Sequence, residues 1–177
     1  MEFDKKKFLQ LLKEREKFFE KGQLSNFDAD KDKASRLSRY LVLIESQIYW
    51  EDRYKYFQIL ESFAKSKITY NKFVDQFDKL VRSNRQTYLM LKERFKHESS
   101  GILSKSNEIE FKFNPKSIDF GKIISSVESY INICDTRVTL EMNLKKSDSI
   151  TFGMSPDLFR SIVLKSILPK LKKYCKE

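Results

Sequence analysis

Apolar residues recur at spacings of three and four from the start of the chain. Phe8, Leu11, Leu12, Phe18 and Phe19 predict an amphipathic helix over 4–21, stopped near Gly22. The polar stretch 22–33 reads as a connection. From Ala34 a second stripe follows, with Leu37, Tyr40, Leu41, Ile44 and Ile48, and after Trp50 it resumes as Tyr54, Phe57, Leu60 and Phe63. Glu51 and Asp52 interrupt it, which leaves open one long rotating helix or two helices broken there. Lys65-Ser66-Lys67-Ile68-Thr69 reads as a turn whose Thr69 caps the next helix. Phe73, Phe77, Leu80, Val81, Tyr88, Leu91 and Phe95 carry that helix to about Lys96.

Beyond it the pattern changes. Residues 97–118 contain Ser99-Ser100-Gly101, Ser104, Ser106 and Asn114-Pro115 and read as a connection or boundary, although Ile109, Phe111 and Phe113 alternate as a strand would. A helix then starts near Asp119 and carries Phe120, Ile123, Ile124, Val127 and Ile131. Val138, Leu140, Met142 and Leu144 alternate again, so a small β-hairpin within 107–152 is admitted. Ser155-Pro156-Asp157 opens a last helix with a cap, a first-turn proline and an acid at the positive end of the dipole. Pro169 is expected to kink that helix. The expectation is a mainly α protein, a helical bundle. Its N-terminal helical region (1–96), connection (97–118) and C-terminal helical region (119–177) would form one compact domain.

Composition agrees with this pattern. Four glycines and three prolines in 177 residues disfavour sandwiches, barrels and Gly-rich cofactor folds. A chain of this length buries roughly 70% of its unfolded surface and needs no disulfide or metal to fold. The longest apolar run, Tyr40–Ile44, is far short of the roughly 20 residues that span a bilayer, so no membrane insertion is expected. The N-terminus lacks a continuous apolar core and carries Glu2 and Asp4, which argues against a secretory or transit signal. Cys134 and Cys175 read as two reduced thiols in the cytoplasm or in an organellar stroma or matrix. The net charge is +10, but 26 of the basic residues are Lys and 9 are Arg. With abundant Phe, Tyr, Ile and Asn, this points to an AT-rich plastid, plasmid or low-GC genome, and part of the charge is codon bias on solvated faces.

Candidate chemistry is thin. Asp28, Asp30 and Asp32 alternate as in a calcium loop, but Lys33 stands where Gly is needed and Arg39 where the bidentate Glu belongs. Glu110-Phe111-Lys112 resembles half of a metal-dependent nuclease site, yet its Pro-Asp partner does not precede it. His97 is the sole histidine and falls at a helix C-terminus, and the two cysteines have no zinc-ligand spacing. The expectation is no enzyme, no cofactor and no metal. Two binding candidates remain. Tyr49, Trp50, Arg53, Tyr54 and Tyr56 have the composition of a protein-interface hot spot, and most of them fall off the stripe, so they form a binding surface unless the 97–118 segment folds over them. Arg82, Arg85, Lys92 and Lys96, with Lys170, Lys172 and Lys173, form helical basic clusters that suit phosphates.

Several segments resemble bacteriocin immunity proteins of the colicin D type. They are Arg53-Tyr54-Lys55-Tyr56-Phe57, the helix ending at Phe63, the turn 65–69, the pair Phe73 and Phe77, and Ser155-Pro156-Asp157-Leu158-Phe159-Arg160 with Leu168, Leu171 and Tyr174. The likeness covers about two thirds of the chain and leaves out the first 50 residues. It implies a compact helical inhibitor that blocks a basic tRNA-cleaving toxin with acidic side chains. A charge of +10 departs from that, because like charges across an interface cost affinity. The functional expectation is therefore a non-catalytic protein-interaction module, immunity-like, with a basic RNA-associated subunit of an organellar or bacterial ribonucleoprotein as the alternative.

Overall fold

The structure, a computed structural model, describes residues 2–101, 110–143 and 154–175, with side chains omitted from 136 to 143. Helices dominate: α1 Lys5–Glu20, α2 Leu24–Ala29, α3 Lys31–Glu51, α4 Arg53–Ala64, α5 Tyr70–Ser99, α6 Lys116–Asn143, α7 Pro156–Ile162 and α8 Leu168–Tyr174, with a π-helical turn at Val163–Ile167 joining the last two. Among the described residues there is no strand. Residues 137–143 continue α6, and 110–114 run irregularly. The remaining parts of the expected hairpin, 107–109 and 144–152, lie outside the described residues.

Helix ends follow local chemistry. The Asp4 carboxylate accepts from the Lys7 N–H at 3.0 Å, and Ser155 Oγ accepts from the Leu158 N–H at 3.2 Å. Thr69 Oγ1 accepts from the Lys72 N–H at 3.3 Å, so Thr69 starts α5 as expected. α1 stops in a Schellman turn: Gly22 at φ 66 donates to Phe19 O and Gln23 donates to Phe18 O. α4 stops in the same way, with Ser66 at φ 56 in the glycine position.

The stretch 22–33 is not a plain connection. Asp30 caps α3 through the Lys33 N–H, and Phe27 of α2 is buried in the core. The stripe also breaks at Asp52, which separates α3 from α4. In α4 the buried positions are Tyr56, Leu60, Phe63 and Ala64, not the expected 54–57–60–63 series. Repeated three-residue steps drift around a helix by 60° each, whereas steps of four and three hold one face. Pro169 has no N–H for the Lys165 carbonyl. The chain is wound wide just before it, with the Leu168 N–H reaching Val163 O across the π turn.

The chain divides into two compact units, each discontinuous in sequence. The first comprises Met1–Ile48 and Ser83–Ile118, the second Tyr49–Arg82 and Asp119–Glu177. The described ends of 97–118 thus belong to the first unit rather than dividing two regions. Phe111, Phe113 and Ile118 pack there on a core of Phe8, Leu12, Phe27, Tyr40, Ile44 and Phe95. Gln47 Oε1 accepts from the Asn114 N–H at 2.8 Å and pins the segment. In the second unit, Phe63 stacks on Phe73 at 4.4 Å, and Phe159 packs on both at 5.5 and 5.8 Å. Each buried Phe contributes about 1.5–3 kcal/mol of transfer free energy.

Candidate functional site

The aromatic segment is a core element of the second unit. Tyr49, Trp50 and Tyr56 are buried, Tyr56 completely. The Tyr56 ring meets Tyr49 at 5.9 Å, Phe77 at 5.4 Å and Phe120 at 6.2 Å, all edge-on. Trp50 packs on Phe120 and Tyr174. Of the two readings, surface or core, the surface one is corrected for these three rings: Phe77 of α5 and Phe120 of α6 cover Tyr56. A stripe read from one helix cannot show how many neighbours it has.

Arg53 explains why the segment looks like an interface without being one. Its guanidinium lies over Trp50 at 4.6 Å and over Tyr54 at 4.5 Å. Nε donates to Tyr174 O and an Nη to Trp50 O, both at 3.2 Å, so one cation closes the C-terminal ends of α3 and α8. Arg160 does the same for α4, donating to Phe63 O at 3.1 Å over the Phe63 ring while pairing with Asp157 at 2.8 Å. Both clamps escaped the sequence reading. The local signal is an Arg close to a helix end with aromatic neighbours. Only Tyr54, 45% exposed, keeps the surface position that the hot-spot reading needs.

Two of the four candidate cations of α5, Arg82 and Lys96, have carboxylate partners. Lys96 pairs with Glu93 at 3.4 Å and Glu16 at 4.0 Å. Arg82 lies 3.7 Å from Asp78. Lys92 is half-buried and lines a shallow groove with Glu16 and Asp28. Arg85 is exposed, with no ion pair among the described residues.

The C-terminal helices differ. Phe159, Val163, Ile167, Leu168 and Leu171 face the core, which places Lys165, Lys170, Lys172 and Lys173 in solvent. No acid occurs from 158 to 175. Lys165, Lys170 and Lys173 have no ion pair among the described residues. Glu61 is held below the usual carboxylate range first by its hydrogen bond from Lys65, at 2.7 Å, with Lys172 adding a weaker field. This is a concentrated ammonium surface, with the Glu61 carboxylate on the Lys172 side.

The other candidates resolve into structural parts. Asp30 is a cap, Asp28 lies in α2 and Asp32 in the first turn of α3. Glu110 and Lys112 pair with each other at 2.9 Å, and His97 lies in the last turn of α5. Among the described residues no three of His, Cys, Asp and Glu are grouped as a metal ion requires, and neither Cys134 nor Cys175 forms a disulfide. No helix among them is long and apolar enough to cross a membrane. Compared with known proteins, the chain matches no family model, no curated protein and no solved structure.

Proposed function

We propose that the protein is a non-catalytic binding module of an organellar or bacterial ribonucleoprotein. It holds RNA by its phosphates through Lys165, Lys170, Lys172 and Lys173. The supporting observation is the one above: four ammonium groups share the solvent side of helices whose other side is core, in a stretch without an acid. Lysine on a mobile stem suits point-charge contact with a phosphate backbone rather than reading of base edges. Four such contacts on a single strand give a log–log salt slope of about −2.8, or about a fiftyfold loss of affinity between 50 and 200 mM salt. Fluorescence anisotropy with a labelled oligoribonucleotide measures this slope. A flat salt response in the wild-type chain would refute the reading.

A protein partner, as in the immunity-like reading, has a separate support. Tyr54 offers an exposed ring held in place by Arg53. On that reading Tyr54→Ala weakens the complex by about 2 kcal/mol, measurable by calorimetry against a co-purified partner.

A further inference from the structure

One cation ties the exposed Tyr54 ring to the lysine-bearing helix within the second unit. The Arg53 guanidinium lies over the Tyr54 ring at 4.5 Å, and its Nε donates at 3.2 Å to Tyr174 O, at the C-terminal end of α8. Joined through the single Nε–Cζ bond, these distances hold the ring within about 9 Å of that carbonyl. Lys173 is the residue before Tyr174, and Lys170 stands about one turn earlier. α4 then runs back along the helices that carry the lysines. Arg53 at its start meets the end of α8, and Phe63 O near its end accepts from Arg160 of α7 at 3.1 Å. Tyr54 and Glu61, seven residues apart, share one side of α4, and Glu61 feels the field of Lys172.

Tyr54 is immobilised without being covered. The ring is 45% exposed, touches no other ring among the described residues, and is held on one face by a guanidinium that two carbonyls fix in turn. A side chain ordered in advance loses little further freedom when a flat group stacks on it. The charge balance nearby favours an anion. Between residues 51 and 65 three acids stand beside three bases, and from 158 to 176 there is no acid at all. Asp52 pairs with Lys55 and Glu61 with Lys65, each at 2.7 Å. Every acid of the second unit whose side chain is described has a partner of its own, Glu51 included. The excess of positive charge beside Tyr54 therefore comes from the lysines.

We infer, building on the RNA reading above, that the ligand is single-stranded RNA, one base of which stacks on Tyr54 while the adjoining phosphates lie on Lys170 and Lys173. A surface of lysines alone holds duplex and single strand alike, because both present phosphates. An exposed ring beside it adds a contact that an unpaired base makes and a duplex does not, since the bases of a duplex are already stacked on one another. The contact is indifferent to sequence, because every base has a flat π face.

Fluorescence anisotropy on the full chain tests this with three labelled ligands of about ten nucleotides, within the usual site size of such surfaces. They are oligouridylate, the same ribose-phosphate backbone without bases, and duplex RNA. The wild type is expected to bind oligouridylate at least about fivefold more tightly than the abasic oligomer. Tyr54→Ala loses that margin and leaves the abasic oligomer and the duplex unchanged. Tyr54→Phe keeps it, because stacking needs the ring and not the hydroxyl. The salt slope is the same in all three proteins, since stacking releases no counterions. The abasic comparison uses only the wild type, so it stands apart from any effect of Tyr54→Ala on folding. A flat salt response with every ligand refutes the RNA reading itself. With the slope present, equal wild-type affinity for oligouridylate and the abasic oligomer overturns the inference and leaves the lysine surface standing. So does a Tyr54→Ala variant that weakens all three ligands equally, or one that weakens only a co-purified protein complex and no RNA.

Discussion

Residues 49–56 and 165–173 both look like binding surfaces in the sequence, the first through its rings and the second through its lysines. Both belong to the second unit. Folding treats them in opposite ways. Tyr49, Trp50 and Tyr56 are taken into the core, where rings of other helices meet them, and the guanidinium of Arg53 is spent on two helix ends. The lysines stay out. An aromatic ring gains from burial on any side that a neighbour offers, whereas an ammonium without a partner carries a large desolvation cost. Aromatic composition is therefore weak support for a surface, and a run of cations without acids is stronger support.

The sharpest break between the two segments is stability. Tyr56→Ala is expected to lower it by about 3–5 kcal/mol, as for other large-to-small changes at fully buried aromatic sites, read as the shift in urea midpoint. Replacing Arg53 with Met should cost about 1.5–3 kcal/mol, because the carbonyls of Trp50 and Tyr174 lose charged donors. Arg53→Lys should recover little of it, since an ammonium cannot span two carbonyls and two rings. Tyr54→Ala, two residues before Tyr56, should cost no more than about 1 kcal/mol, the worth of an exposed cation–π contact. If Tyr54→Ala proved as damaging as Tyr56→Ala in the same denaturation series, the division between core and surface would be wrong. Lys170→Gln with Lys172→Gln and Lys173→Gln should change stability by less than about 0.5 kcal/mol, since these side chains are in solvent.

Much of the fold was legible because its determinants are local. Asp4, Thr69 and Ser155 announce helix starts within three residues, and Gly22 announces a stop. What stayed hidden depends on distant residues. Phe27 is a lone ring in a polar stretch, buried in a core shared with α1, its ring 6.1 Å from that of Phe18. The expected stripe of α4 was right at Leu60 and Phe63 and missed Tyr56, since rings around Tyr56 come from α5 and α6. Lys96 of α5 looked free of Glu16 in the sequence because the two meet only after folding. The lysines at 165–173 were legible as a cluster because they lie in a stretch, 158–176, that holds no acid.

The central claim is that the C-terminal lysines, and not the cations of α5, carry the affinity for RNA. Salt titration of oligoribonucleotide binding by anisotropy tests it, comparing the wild type, the quadruple Lys165, Lys170, Lys172 and Lys173→Gln variant, and an Arg85→Gln, Lys92→Gln variant. The account predicts a log–log slope of about −2.8 for the wild type and for the α5 variant, falling close to zero in the quadruple variant. A quadruple variant that keeps the wild-type slope, or an α5 variant that loses it, would contradict the account.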